Sequence, residues 1–353
     1  MDASREGPGP PAGVAVRRAR WDDLDAVLAL YNACSLDRIG AAIWQRDDIH
    51  HRWLEPDRFE DTLVAEWTDG TVADGGAALV ADGGAAVIGY AEFSADVDPW
   101  TGELDLYLDA RVHPSATGRG IGTFFLRRSI ARALAAADEV PGEHRVALRT
   151  SLPDADDRGR ALFQRTGFRP VRHFLDMRLD LDDPPPPPEV RSSVRIRRFV
   201  LGEDDEAVWH AYEAGFADHW AHEPQSFEDW RYIAIEHEEH VDPTLWFLAE
   251  TVPDGEVVGV CLTRAGMPDD PEMGYIRDLA VVPAWRRRGI ATRLLRTAFS
   301  AFAARGLRRV GLEIDDVTLD GAAQLYQRAG MRIARRTDVY ELELRPEGSP
   351  GPG

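Results

Sequence analysis

With 353 residues and a formal net charge of −20, the chain is too long for one hydrophobic core and comfortable for two. Its acidity disfavours nucleic acid and anionic membrane as partners, because phosphate is bound mainly through lysine and arginine charge, and it suits a cationic acceptor such as an amine. Cys34 and Cys261 are too few for a disulfide framework and lack zinc-ligand spacing, so a reducing, cytoplasmic setting is expected, and no apolar run reaches the length of a membrane span.

Residues 1–13 read as a disordered leader. "VAVRRA" (14–19) then alternates as a strand, and "WDDLDAVLALYNAC" (21–34) carries apolar residues at helical spacing. "DTLVAEW" and "GGAAVIGYAEFSA" predict strands around a glycine-rich turn, and "ELDLYLDARVHP" alternates strictly. "TFFLRRSIARALAAA" predicts a helix, "HRVALRTSL" a strand, "DRGRALFQRTG" a short helix closed by Gly167, and "FRPVRHFLDMRLDL" a last strand. The order is β, α, α, β, β, β, α, β, α, β. Five prolines in "LDDPPPPPEV" (181–190) form a stiff spacer that joins neither helix nor sheet. Beyond it the same order returns, from "SVRIRRFV" through "DDEAVWHAYEAGFADHW", "SFEDWRYIAIEHE", "TLWFLAE", "EVVGVCLTRAG", "GYIRDLAVVP", "ATRLLRTAFSAFAARG", "RRVGLEID" and "GAAQLYQRAG" to "MRIARRTDVYELEL". The expected fold is therefore mixed α/β, a tandem repeat of two similar domains at 14–181 and 191–346, with a linker at 182–190 and a tail at 347–353.

One pair of segments carries the chemistry. "PAWRRRGIATRL" (283–294) aligns without gaps on "PSATGRGIGTFF" (114–125), an offset of 169 residues. A strand ending at Pro283, a glycine turn and a helix opening near Gly289 present several backbone N–H groups without helical partners, which is an anion site. Gly289 permits close approach of the backbone, Ala291 keeps the helix start slim, and Arg286, Arg287 and Arg288 add positive charge to a diphosphate nest.

"VVPAWRRRGIATRLL", followed by "GAAQLYQRAGM", resembles the GNAT superfamily of acyl-CoA-dependent N-acyltransferases, whose signature is Q/R-x-x-G-x-G/A with a later L-Y-x-x-x-G-F. Arg286, Gly289 and Ala291 fill the first motif; Tyr326 to Met331 fill the second with Met in place of Phe. The arrangement is similar to that of tandem members resembling mycothiol synthase. The resemblance implies acetyl-CoA as cofactor, with its diphosphate on Arg286, Arg287, Arg288, Gly289, Ile290, Ala291 and Thr292 and its pantetheine arm beside Leu279, Ala280 and Val281. It implies Tyr326 as the acid that protonates the departing thiolate. In the first copy Thr117 stands at the Gln/Arg position and Phe163 replaces the tyrosine, whereas Val112, Gly118, Arg119, Gly120, Ile121, Gly122 and Thr123 leave a backbone nest that is still usable. Catalysis is thus expected in the second domain, the first holding CoA or serving as a scaffold.

An amine acceptor with a pKa near 10 must lose a proton before attack. Many GNAT members use a fourth-strand glutamate for this; Tyr275 stands at that position here. Asp278, matched by Asp109 in the first copy, is the nearest carboxylate on the strand, as catalytic base or structural partner; Glu313 and Glu272 are further candidates. Acceptor-recognising groups are expected at His219, Trp220 and Glu223, with Asp218, alongside Tyr275 and Glu313. "HEEH" (237–240) and "DDIHH" (47–51) lack the spacing of a zinc site, so no metal is expected. Without a nucleophile motif, direct transfer in a ternary complex to a small-molecule amine is the expected mechanism, in a monomer or homodimer. The rival readings are a non-catalytic CoA-sensing or partner-binding protein, and an acyltransferase that takes its acyl group from a carrier protein.

Overall fold

The computed structural model describes residues 9–54, 59–68, 86–97, 104–139, 145–182, 193–218, 222, 224–236, 242–267, 270–315 and 322–346. The proline run and the histidines of "HEEH" lie outside them. The chain divides into two compact units, residues 1–172 with 337–353, and residues 173–336.

In the first unit β1 (Val14–Arg18) leads to α1 (Leu24–Ile39) and α2 (Arg46–Trp53), then to the antiparallel strands β2 (Leu63–Trp67), β3 (Val87–Val97) and β4 (Leu104–Val112). Helix α3 (Ile121–Ala137) carries the chain to β5 (Val146–Pro153), which lies parallel to β4, and α4 (Asp157–Arg165) follows. The next strand, β6 (Arg169–Asp180), does not return to β5. From His173 it belongs to the second unit, where it pairs antiparallel with β11 (Arg309–Asp315), Phe174 facing Asp315 and Asp180 facing Arg309.

The second unit repeats the plan: β7 (Val194–Arg198), α5 (Asp205–Phe216), α6 (Phe227–Arg231), β8 (Phe247–Thr251), β9 (Val257–Met267), β10 (Asp270–Val281), α7 (Ile290–Ala304), β11 and α8 (Ala322–Arg328). Its sheet runs β6-β11-β10-β9-β8-β7, with only β10 and β11 parallel. The last strand, β12 (Arg332–Arg345), crosses the other way. From Thr337 it is part of the first unit and lies antiparallel on β5, Thr337 facing Pro153 and Arg345 facing Val146.

Each expected element is present in the expected order, yet the division at 14–181 and 191–346 keeps each last strand with its own copy, and the structure exchanges them. The reason is local: β5 and β11 each offer an equivalent open edge, and both last strands alternate suitably, so hydrophobic pattern alone specifies register and not ownership. One smaller difference concerns "SFEDWRYIAIEHE", expected as a single helix. Five residues of α-helix, Phe227–Arg231, pass into a π turn at Tyr232–Glu236.

Helices cover both faces of each sheet. In the second unit α7 buries Ile290, Leu294, Leu295, Ala298, Phe299 and Phe302 at helical spacing against one face. On the other, α5 and α6 pack Val208, Ala211 and Trp230 against Trp246, Leu248, Val260, Leu262 and Ala280. Among the described residues no helix is long and apolar enough to cross a membrane.

Candidate functional site

Between β10 and β11 the sheet of the second unit opens. Their parallel register covers Met273–Tyr275 against Arg309–Gly311 and stops there, so Ile276 to Val281 run on without a β11 partner. On the β9 side the register slips: Ile276 faces Thr263 and Asp278 faces Leu262, which leaves Arg277 as an extra, bulged residue. The first unit opens later, with β4 paired to β5 over Asp105–Leu108, and its β3–β4 ladder runs from Gly89–Val112 to Val97–Leu104 without a bulge.

The glycine turn sits at the end of the open strand. After a single 3-10 turn at Pro283–Trp285, Arg287 and Gly289 both take left-handed backbone, φ 61° and 75°, and α7 begins at Ile290. The amides of residues 287 to 292 donate to no acceptor among the described residues; the ladder resumes with Arg293 N–H on the Gly289 carbonyl at 3.1 Å. A nest of this backbone geometry is suited to an anion. The first copy builds the same turn, with φ 78° at Gly118 and 87° at Gly120, and its amides 118 to 123 are likewise without acceptors until Phe124 N–H meets the Gly120 carbonyl at 2.9 Å. That nest forms one wall of a cavity of about 760 Å³, which Val112, Gly118, Gly120, Ile121, Gly122 and Thr123 help to line and Phe163 borders.

The arginines do not behave as a group. Arg287 and Arg288 are exposed, Arg288 lying over the Trp285 ring at 4.6 Å. Arg286, expected to add charge to a diphosphate, is paired with Asp218 at 2.6 Å. Asp218, expected to recognise an acceptor, is the counter-ion of that arginine. Arg119 stacks on Trp67 at 4.8 Å and is not among the residues lining the cavity.

Tyr326 stands on α8, half-buried against the core that contains Cys261 and Ile276. Burial, then the neighbouring Cys261, Asp278 and Tyr275, push its phenol well above the ordinary tyrosine value. Tyr275 is raised as well, by burial and then by Glu313 and Asp176. Glu313 keeps an exposed flank, and desolvation followed by Asp176 raises its carboxyl against the pull of Arg335. Four of the expected residues, Tyr326, Asp278, Tyr275 and Glu313, are thus linked as electrostatic neighbours. Glu272 is not among them: it pairs with Arg309 at 3.2 Å, at the far end of β10.

Asp278 accepts from Arg277 Nε at 2.5 Å, and Arg277 in turn lies over Trp246 and donates to the Ala234 carbonyl at 3.2 Å. Across from it, α5 brings Tyr212, whose phenol is raised by burial and then by Asp278, and Glu213, which pairs with His222 Nε2 at 2.9 Å. The sequence reading missed Tyr212, Glu213 and His222; the signal was the alignment of "YEAG" on "YNAC", which places Tyr212 on Tyr31. His219, Trp220 and Glu223 lie outside the described residues.

In the first unit the duplicate carboxylate is locked. Asp109 is buried, ion-paired to Arg111 at 2.5 Å and Arg52 at 2.9 Å, and accepts from Tyr31 Oη at 2.9 Å. Burial opposes its charge, but the two guanidiniums prevail and hold the carboxyl below the usual range. Asp109→Asn keeps the shape and removes the charge, leaving buried donors poorly matched; urea denaturation is expected to show the first unit weakened by about 2 kcal/mol.

A sequence profile of the acetyltransferase (GNAT) family matches residues 41–168 and 203–331. The chain belongs to that family. It is an N-acetyltransferase with two GNAT domains in tandem. A mycothiol acetyltransferase of Nocardiopsis dassonvillei is 30% identical over 244 residues, which cover 63% of this chain and 70% of that protein. The crystal structure of a GCN5-related N-acetyltransferase from Sphaerobacter thermophilus, 27% identical, superposes with a TM-score of 0.76 over 98% of this chain and all of that one. A tandem GNAT protein from the clavulanic acid biosynthesis pathway shares the fold at 14% identity, with a TM-score of 0.63 over 94% of this chain and 98% of its own.

Proposed function

We propose that the second unit of this GNAT acetyltransferase transfers acetyl from acetyl-CoA directly to the amine of a small polar metabolite. The observation that carries the proposal is the run of six amides, 287 to 292, that meet no acceptor among the described residues, at the end of the open strand whose Asp278 and Tyr275 neighbour the Tyr326 phenol. The fit is physical: the nest is backbone-lined and free of a Cβ at Gly289, and the strand end Leu279–Val281, which lacks a β11 partner and has only its Val281 carbonyl taken by Arg286, can receive an extended amide-bearing arm. Acetyl-CoA supplies an activated thioester and a thiolate leaving group. Amides 287–292 hold the diphosphate, and Tyr326 donates its proton to the departing sulfur.

Asp278 borders the acceptor face, where with Glu213 and Tyr212 it makes an anionic, aromatic setting suited to an ammonium group. Its ion pair with Arg277 favours orienting the amine over abstracting a proton, so the acceptor loses its proton to water on entering. The first unit keeps a nest but offers Phe163 where the acid stands and an Asp109 locked in ion pairs; it binds coenzyme without turning it over. Likeness to mycothiol acetyltransferases makes amino-sugar conjugates the first acceptors to try.

The test mixes the protein with acetyl-CoA and a panel of aminoglycosides, amino-sugar conjugates and amino acids and follows free thiol, with CoA binding measured by calorimetry. Silence across the panel with no bound CoA would sink the reading. The raised Tyr326 phenol also sets the pH dependence. Its acid form is lost only as pH rises through a value well above 10, so kcat is expected to climb from pH 6.5 as the amine deprotonates and to show no descending limb before about pH 9. A fall centred below pH 9 would assign the acid elsewhere.

A further inference from the structure

Arg286 stands at the motif position where a cation invites the reading that it grips phosphate, and its guanidinium is taken up by acceptors of the protein itself. Nε donates to the Val281 carbonyl at 3.0 Å, Nη2 to the Gly215 carbonyl at 2.8 Å, and Nη1 and Nη2 to the two Asp218 oxygens at 2.6 and 2.8 Å. Four of its five N–H groups are spent in this way. We infer that Arg286 is a positioning residue: with Asp218 as counter-ion it clamps the C-terminal end of α5, on the acceptor face, to the strand end and turn that carry amides 287–292. The inference rests on the preceding reading of those amides as the coenzyme nest.

The first copy shows the turn without the clamp. The helices α1 and α5 align at an offset of 181 residues and the turns at 169, which puts Thr117 in the place of Arg286, Cys34 in that of Gly215, Asp37 in that of Asp218 and Val112 in that of Val281. There the Val112 carbonyl accepts from the Cys34 thiol at 3.3 Å, while Thr117 Oγ1 donates to Pro114 and accepts from Arg158 at 2.7 Å. A side chain on the helix meets the strand carbonyl directly, and Asp37 lines the cavity beside the nest. In the second copy an arginine reaches across instead, and it neutralises the equivalent carboxylate. Gly215 makes the reach possible, because a Cβ there would lie 2.7 Å from Ala280 Cβ and push α5 off β10. Two differences act on one shared aspartate: glycine brings the helix close, arginine ties it, and the aspartate present in both copies fixes the arginine.

A phosphate ligand and a clamp predict different mutants. For a clamp, Arg286→Gln and Asp218→Ala are expected to raise amide hydrogen exchange over residues 212–218 by about tenfold each in the coenzyme-free protein, the double variant no further, with CoA affinity by calorimetry within about threefold. Arg286→Lys keeps the charge without the planar fork and is expected to match Arg286→Gln in exchange. The inference is overturned if Arg286→Gln weakens CoA tenfold or more while Asp218→Ala does not, or if neither substitution changes exchange in α5. Failure of the unsubstituted protein to bind CoA would strike the preceding reading alone, since the exchange arm is read without coenzyme.

Discussion

Replacing Tyr326 by Phe is expected to lower kcat by about 10²- to 10³-fold while leaving CoA affinity within about twofold. The substitution removes one oxygen and keeps the ring that packs against the core around Cys261 and Ile276. Ground-state binding is therefore preserved, and what is lost is the proton that meets the leaving sulfur. A thiol pKa near 8.5 makes the thiolate a passable leaving group unaided, so the loss stays within the range of general acid catalysis. Burial, then the nearby Cys261 and Asp278, hold the phenol protonated through the working range, which suits the acid role proposed for it and not that of a base. The discriminating measurement is the pair of numbers: kcat by thiol release and Kd for CoA by calorimetry. An unchanged kcat would move the proton donor elsewhere; a parallel loss of CoA affinity would make Tyr326 a packing residue. Phe163, stacked on Phe168 at 5.3 Å, is the natural version of the same substitution in the first unit.

What the sequence disclosed and what it withheld divide along a physical line. Periodicity and glycine placement are local properties, and from them came the element order and the turn at Gly289; the open strand end was implied by the family resemblance alone. Partner choice is not local. Nothing in "RRRG" tells that Arg286 will spend its fork on Asp218, 68 residues earlier, while Arg287 and Arg288 remain exposed. Two equivalent sheet edges in one chain likewise hide which of them β6 or β12 will join. The duplicated aspartates were visible as a pair, but their different fates depend on neighbours: Asp109 meets Arg52, brought in by α2, whereas Asp278 follows a bulge and meets Arg277.

Gly289→Val is expected to weaken CoA binding by about 100-fold or more, and the same change at Gly120 to leave turnover within about threefold. Gly289 has φ 75°, a region where a β-branched residue is strained by roughly 1–2 kcal/mol. Strain alone is the smaller part. A Cβ built at Gly289 meets no protein atom within 4 Å, so the protein itself does not need the space. The need arises only when a diphosphate approaches amides 287–292, and an isopropyl group standing over the nest then excludes it. The protein is thus expected to fold with a modest loss of stability and to lose its ligand almost completely. Gly120, with φ 87°, is the matched control: its substitution imposes similar strain on a unit that lacks the acid. Calorimetry reads both at once. With two nests filled in the unsubstituted protein, each variant is expected to retain one site, and only the variant that keeps Gly289 retains turnover. The reverse assignment, activity surviving in Gly289→Val and lost in Gly120→Val, would place the chemistry in the first unit.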